Sequence, residues 1–401
     1  MVAGLALVAS LARAQPYPEW LERPRTLIGR DACAVLIVWD DGLVERRHVA
    51  DAVSAARALR DEPGVRGVWP AFAAVAPPHA PDFDLAPPTP SFALLQRWTA
   101  PAPLGLGSLV RWPGGRGDGV RVADVEYDYD PLHEDLRTSP PRWIYGEPWG
   151  SFGAHGNGVL GLLTGGYDGF GVLGAVTLAR VGVAHPQIAG EFDLVGAVQA
   201  AAAWLDAGDV LLIEQQLMVD GALVPVSADP LIAQAIRAAV ARGVVVVEPA
   251  GNGGVNLDDA AWEGWFSPGG GGDTGALLVG AGDPETGERS DHSNYGARVA
   301  VQGWSDGVVT LSSSGAPSEL WFPDGDVRQA YTASFGGTSA AAAQVAGLCA
   351  QVQGVSRSLH GEPVPPERLA AWLVRTGRRG SSPELGPRPD VEALARAYLR
   401  P

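Results

Sequence analysis

The sequence predicts an α/β fold, three layers built on a mostly parallel central sheet, preceded by a small α+β segment. Three observations predict it. From about residue 104 to the end, β-branched runs alternate with alanine-rich helical stretches, the pattern of parallel strands covered on both faces by crossover helices. Apolar residues make up 46% of the 401 positions, enough for one large core and a small additional domain. The 53 glycines and 33 prolines lie between long apolar segments, so they mark turns rather than disorder.

In chain order, residues 1–14 pair an apolar run from Val2 to Leu11 with Ala12-Arg13-Ala14, a small-x-small cleavage pattern that fits a secretory signal, although the basic n-region is missing and a plain apolar helix is the other reading. Residues 15–76 hold a strand at 34–39, a helix at 49–60 and a strand at 65–69, a small β-α-β unit. Residues 77–103 are rich in proline and predict an exposed linker. The main domain spans 104–401, with strands expected at Arg121–Val125, 177–183, Val210–Ile213, 244–247 and 277–280, and a short amphipathic helix at 389–399. Cys33 and Cys349 are the only cysteines; no disulfide is expected, and neither stands in a metal-ligand pattern. A net charge of −16 argues against nucleic acid as a partner, and beyond the N-terminus no apolar run is long enough to span a membrane.

Three separated motifs carry chemistry. Ser339 follows Gly336-Gly337-Thr338 and opens a small-residue helix, where unpaired N–H groups and the positive end of the dipole favour negative charge beside it. A helix-capping serine would need neither the glycine pair nor the alanine run behind it. His155, one of seven histidines, lies between glycines at the head of an apolar helical stretch. Asp124, Glu126 and Asp128 end a β-branched run, at the carboxyl edge where open α/β sheets build their sites; extended backbone puts all three on one face. A fourth segment, 244–254, reads as a buried strand entering a tight turn at Ala250-Gly251-Asn252.

The order acid, His, Ser excludes the orders found in α/β-hydrolases and chymotrypsin. At these motifs the chain resembles the subtilases, the subtilisin-like serine peptidases, over roughly three quarters of its length, with His133-Glu134-Asp135-Leu136 behind the acid and Asp291-His292-Ser293-Asn294-Tyr295-Gly296 as further matches. The resemblance implies Ser339 as nucleophile, His155 as base, Asn252 as oxyanion donor and Glu126 at the position of the usual aspartate. Asp128 is the next candidate for the acid, and Asp124 stays open. It implies a secreted or periplasmic serine endopeptidase, a zymogen whose ferredoxin-like pro-segment, 15–76, acts as inhibitor and folding chaperone; a permanent accessory domain is the other reading of that segment.

The departures are specific. Glutamate at 126 adds a methylene, and a misplacement of about 1 Å can cost on the order of a hundredfold in rate. Gly158 stands where most subtilases carry a second histidine, and Glu214-Gln215-Gln216 replaces the small residues at the edge that pairs with substrate. A glutamate also serves in the related sedolisins, which lack the histidine, but His155 in its own helix favours the histidine mechanism. No cofactor is required for that chemistry; structural calcium occurs in the family, and Asn256, Asp258 and Asp259 are the nearest suggestion of a site. Peptides or proteins are the expected partners of what is read as a monomer. Two other functional classes share the residues: a catalytically impaired homologue that binds peptide, and an esterase or transacylase using the same serine.

Overall fold

The computed structural model describes residues 30–40, 44–72, 88–100, 104–137, 139–148, 150, 152–313 and 319–399. The expected signal at 1–14 lies outside the described residues. The chain divides into two compact units, Met1–Asp84 and Leu85–Pro401.

In the first unit, β1 (Arg30–Trp39) lies between β2 (Val44–His48) and β3 (Val65–Phe72), antiparallel to both, with α1 (Ala52–Leu59) following β2. Val35 and Ile37, two residues apart on β1, pack with Ala52, Ala56 and Val68 in a closed apolar cluster, as the period of a strand requires. The strand β2 adds to the β-α-β unit expected from sequence: Val44-Glu45-Arg46-Arg47-His48 is rich in charge and has no apolar alternation to announce it.

The second unit holds a seven-stranded sheet in the order β12-β11-β10-β7-β4-β6-β5, every neighbouring pair parallel. Its strands are β4 (Arg121–Val125), β5 (Arg142–Tyr145), β6 (Arg180–Ala184), β7 (Val210–Ile213), β10 (Val245–Pro249), β11 (Leu277–Gly282) and β12 (Val301–Trp304). A hairpin of β8 (Gln216–Val219) and β9 (Ala222–Pro225) follows β7. A smaller antiparallel sheet orders β13 (Val308–Leu311), β15 (Tyr331–Phe335) and β14 (Glu319–Trp321).

Helices cover both faces. Val122, Val210, Leu212, Val245 and Val247 face α2 (Gly153–Thr164) and α5 (Gly337–His360), whereas Ala123, Val125, Leu211, Ile213 and Val246 face α3 (Leu194–Trp204) and α4 (Pro230–Ala241). This strict alternation in apolar runs is what a sheet buried on both sides demands. The 24-residue α5 is buried over most of its length, and Ala340 through Ala343 let it lie close against β11 and β12. The chain closes with α6 (Pro366–Thr376) and α7 (Val391–Leu394), the latter continuing as a wider turn through Leu399.

Part of the segment expected to be linker belongs to this unit. Phe92 and Trp98 are buried in its main core, and the Gln96 side chain exchanges hydrogen bonds with the backbone of Leu173. Two aromatic residues among the prolines are the signal that the exposed stretch is shorter than 77–103. Among the described residues no helix is long and apolar enough to cross a membrane. Cys349 is a free thiol buried in α5, and burial pushes its proton affinity well up, so it is inert.

Candidate active site

The site forms beyond the carboxyl ends of β4, β7 and β10, where the strand order places ligand crevices in open parallel sheets. Glu126 follows β4 directly and extends its ladder, its N–H donating to the Ala184 carbonyl at 3.0 Å. Its side chain is fully buried. One carboxylate oxygen accepts from the Tyr127 N–H at 2.7 Å, and the other accepts from His155 Nδ1 at 2.7 Å. In the neutral ring that contact places the proton on Nδ1 and leaves Nε2 as the acceptor.

The other two acids are elsewhere. Asp124 is buried within β4 and neither of its oxygens has a hydrogen-bond partner. Burial, reinforced by the Glu126 charge, raises its proton affinity well above the carboxylate range. Asp128 does not share the site face, because β4 ends at Val125 and the chain turns: its carboxylate accepts from the N–H groups of Tyr129 at 2.8 Å and Gly150 at 2.7 Å.

His155 is the third residue of α2, its side chain 34% exposed. Asn157, two residues on, pins the helix by donating to the Ser312 carbonyl and accepting from Asp130 N–H. The helix start packs closely on the Glu126 side chain. A Cβ on Gly156 would stand 2.0 Å from the Asp128 carbonyl oxygen and 2.8 Å from Glu126 Cγ, so only a bare glycine fits between the helix and the Glu126 side chain. Gly158 has its own reason: a Cβ there would meet the Phe335 ring at 2.7 Å, and that ring stands edge-on to the His155 imidazole with centroids 5.7 Å apart. Desolvation lowers the proton affinity of His155, but the charge and hydrogen bond of Glu126, with the Glu214 charge, outweigh it and raise its pKa to about 9.

Ser339 is the third residue of α5. It lines one cavity of about 490 Å³ together with His155, Asn252, Thr338 and Glu214, so hydroxyl and imidazole lie on the same side of the sheet. Asn252 follows β10 with its orientation fixed: Oδ1 accepts from Thr338 N–H at 3.0 Å and Thr338 Oγ1 at 3.1 Å, which turns the Nδ2 amide the other way, toward Gln216 Oε1 at 3.4 Å. Gln216 Oε1 also accepts from Asn252 N–H at 2.9 Å.

Several contributors carry no clear signal in the sequence. Asn294 clamps the Asn252 turn, its amide donating to the carbonyls of Leu223 and Ala250 while its oxygen accepts from the N–H groups of Gly253 and Val255. The Ser-Asn-Tyr-Gly pattern marks this segment without revealing that role. His185 steadies the backbone after Glu126 through Nδ1 and the carbonyls of Glu126 and Tyr127. Glu214, at the edge expected to pair with substrate, lines the cavity with Gln215 and Gln216 and is buried at 3% exposure with neither oxygen meeting a donor at hydrogen-bond distance. His133, Glu134 and Asp135 are structural, tied to Ala330, Tyr331 and Val172. The candidate calcium residues face backbone amides: Asn256 accepts from Asp258 N–H, Asp258 from Ala297 N–H and Asp259 from Ala261 N–H.

The sequence model of the Subtilase family matches residues 117–388, more than half of the chain. The chain belongs to the subtilase family. No curated protein matches it significantly in sequence. Among solved structures, a protease from Pseudoalteromonas arctica is similar at 20% identity and TM-score 0.55, covering 77% of this chain and 99% of that one. The protease domain of PatA is similar at 18% identity and TM-score 0.54, covering 70% and 95%. The prenylagaramide maturation protease PagA is similar at 18% identity and TM-score 0.52, covering 72% and 95%. At these identities the likeness is one of fold, and the subtilisin-like α/β architecture predicted from sequence is the one observed.

Proposed function

We propose that this subtilase is a secreted serine endopeptidase in which Ser339, His155 and Glu126 form the triad and Asn252 serves the oxyanion. The observation that carries the reading is the 2.7 Å contact between Glu126 and His155, with Ser339 on the same cavity wall as the imidazole. Ser339 Oγ attacks the scissile carbonyl while His155 Nε2 accepts its proton and later delivers it to the leaving amine. Glu126 holds the tautomer and stabilises the imidazolium. The Asn252 amide and the Ser339 N–H bind the oxyanion, each donor contributing roughly 3 to 4 kcal/mol by the precedent of subtilisin. Water then hydrolyses the acyl-enzyme.

Residues 15–76 act in this proposal as a removable inhibitory segment, released by cleavage in the proline-rich stretch that follows. N-terminal sequencing of exported material checks it: a chain still starting near Gln15 rejects removal. The peptidase reading is tested with a fluorophosphonate probe and a peptide substrate. Wild type is expected to label and to cleave, and Ser339→Ala to do neither; labelling or cleavage by that variant rejects Ser339 as the nucleophile.

A further inference from the structure

Gln216 stands at the edge where the family usually has a small residue, and its side chain crosses the site. It opens β8, and pairing with Pro225 of β9 fixes its backbone. From there Oε1 reaches the turn after β10, accepting from Asn252 N–H at 2.9 Å and standing 3.4 Å from Asn252 Nδ2. The turn is not free to draw back. Thr338 holds Asn252 Oδ1, and Asn294 holds the backbone of Ala250 and Gly253.

The position of this bridge gives it a consequence. Strands β7 and β10 are neighbours in the sheet, spaced by about 4.8 Å, and beyond their carboxyl ends the segment from Glu214 to Gln216 lines the cavity together with Pro249 and Asn252. A scissile carbonyl carbon within reach of Ser339 Oγ, with its oxygen on the Asn252 amide, has its own Cα one bond away. The side chain on that Cα must enter the space between these two segments, which the Gln216 carboxamide already spans. Apolar breadth lies on the other side, toward His155, where Tyr127 packs against Phe152 and Phe192 with ring centroids 5.2 and 6.5 Å apart.

Resting on the peptidase reading, we infer that Gln216 sets the substrate class: the residue that supplies the scissile carbonyl is glycine, alanine or one of similar size. The contact to Nδ2 is long and weak at 3.4 Å, so an arriving oxyanion takes that donor while Gln216 keeps the Asn252 N–H at 2.9 Å. A small side chain leaves the bridge in place. A large one evicts the carboxamide and strands the Asn252 N–H without its acceptor, which lowers the rate for that substrate by roughly ten- to a hundredfold. Discrimination thus comes from a polar contact that only a bulky substrate breaks.

Peptide p-nitroanilides that differ only in alanine or phenylalanine before the scissile bond test it, with kcat/KM measured for wild type, Gln216→Ala and Gln216→Glu and each fold checked by its melting transition. The readout is the ratio of the two substrates within one variant, which a general loss of activity leaves unchanged. Wild type is expected to favour alanine by about tenfold or more. Gln216→Ala is expected to shrink that ratio by at least about tenfold, and Gln216→Glu, whose carboxylate can still accept from Asn252 N–H, to keep it. Wild type that cleaves the phenylalanine substrate as well as the alanine one overturns the inference whatever the variants do, and so does an unchanged ratio in Gln216→Ala. If neither substrate is cleaved and the fluorophosphonate does not label Ser339, the peptidase reading itself falls. Labelling and cleavage by wild type without a preference for alanine remove only the part assigned to Gln216.

Discussion

Restoring the aspartate usual in subtilases should damage this site. Glu126→Asp withdraws the carboxylate by one bond, about 1.5 Å, from a contact now 2.7 Å long. The separation from His155 Nδ1 then becomes about 4 Å, beyond hydrogen-bond range. The helix cannot simply follow, since α2 is pinned by Asn157 to Ser312 and Asp130, and the shorter side chain leaves a gap where Gly156 now makes room for Cγ. A misplacement of this size predicts a loss on the order of a hundredfold in kcat/KM, about 2.7 kcal/mol. If tautomer control disappears altogether, the loss approaches about 10⁴-fold. The assay is steady-state cleavage of a peptide ester, with labelling at Ser339 measured in parallel and a melting curve to show that the fold is kept. A Glu126→Asp variant that matches or exceeds wild type would refute the reasoning, because it would mean that the site is not built to the length of glutamate.

Gly156→Ala places a methyl 2.0 Å from the Asp128 carbonyl oxygen, so the helix start must shift; melting should report a loss of about 1 to 3 kcal/mol, with kcat/KM falling further than stability alone explains. Asn252→Ala should lower kcat by about 10² to 10³-fold with little change in KM, measured on the same ester. With the His155 pKa raised to about 9, kcat/KM should climb with pH toward that value, since only neutral imidazole accepts the serine proton. The stability carried by the protonated His155 and Glu126 pair has the opposite sense: it is fully present below the unfolded histidine pKa of roughly 6.5 and is lost as pH rises through about 9. Denaturant midpoints of wild type and His155→Gln across that window check it. Asn294→Ala orphans the backbone groups of Leu223, Ala250, Gly253 and Val255, and should cost about 3 kcal/mol while loosening the Asn252 turn, read by melting together with kcat.

The central sheet is legible because its strands are apolar almost without interruption, as in Val210–Ile213 and Val245–Pro249. The flanking strand Arg142–Tyr145 is not: it is an edge, half exposed, and its Arg-Trp-Ile-Tyr carries no such run. Hydroxyl, imidazole and amide can be picked out from local motifs. The acid is harder, because extension alone puts residues 124, 126 and 128 on one face, and only the end of β4 at Val125 turns Asp128 aside. The burial of Glu214 is hidden for a related reason. A charged residue at a strand end reads as exposed unless the helices that close over it are known, and α2 and α5 come from stretches far away in the chain.

The contact between Phe335 and the bare face of α2 at Gly158 couples two distant pieces of chain. Phe335 ends β15, four residues before Ser339, and its ring also touches the imidazole. Any shift of α2 that carries His155 therefore pushes on the lead-in to Ser339, so the imidazole and the hydroxyl are steered by one shared aromatic wedge. Tolerance to sequence change at position 158 should consequently be narrow even though Gly158 brings no functional group, and a substitution at Phe335 would unseat both His155 and Ser339 at once.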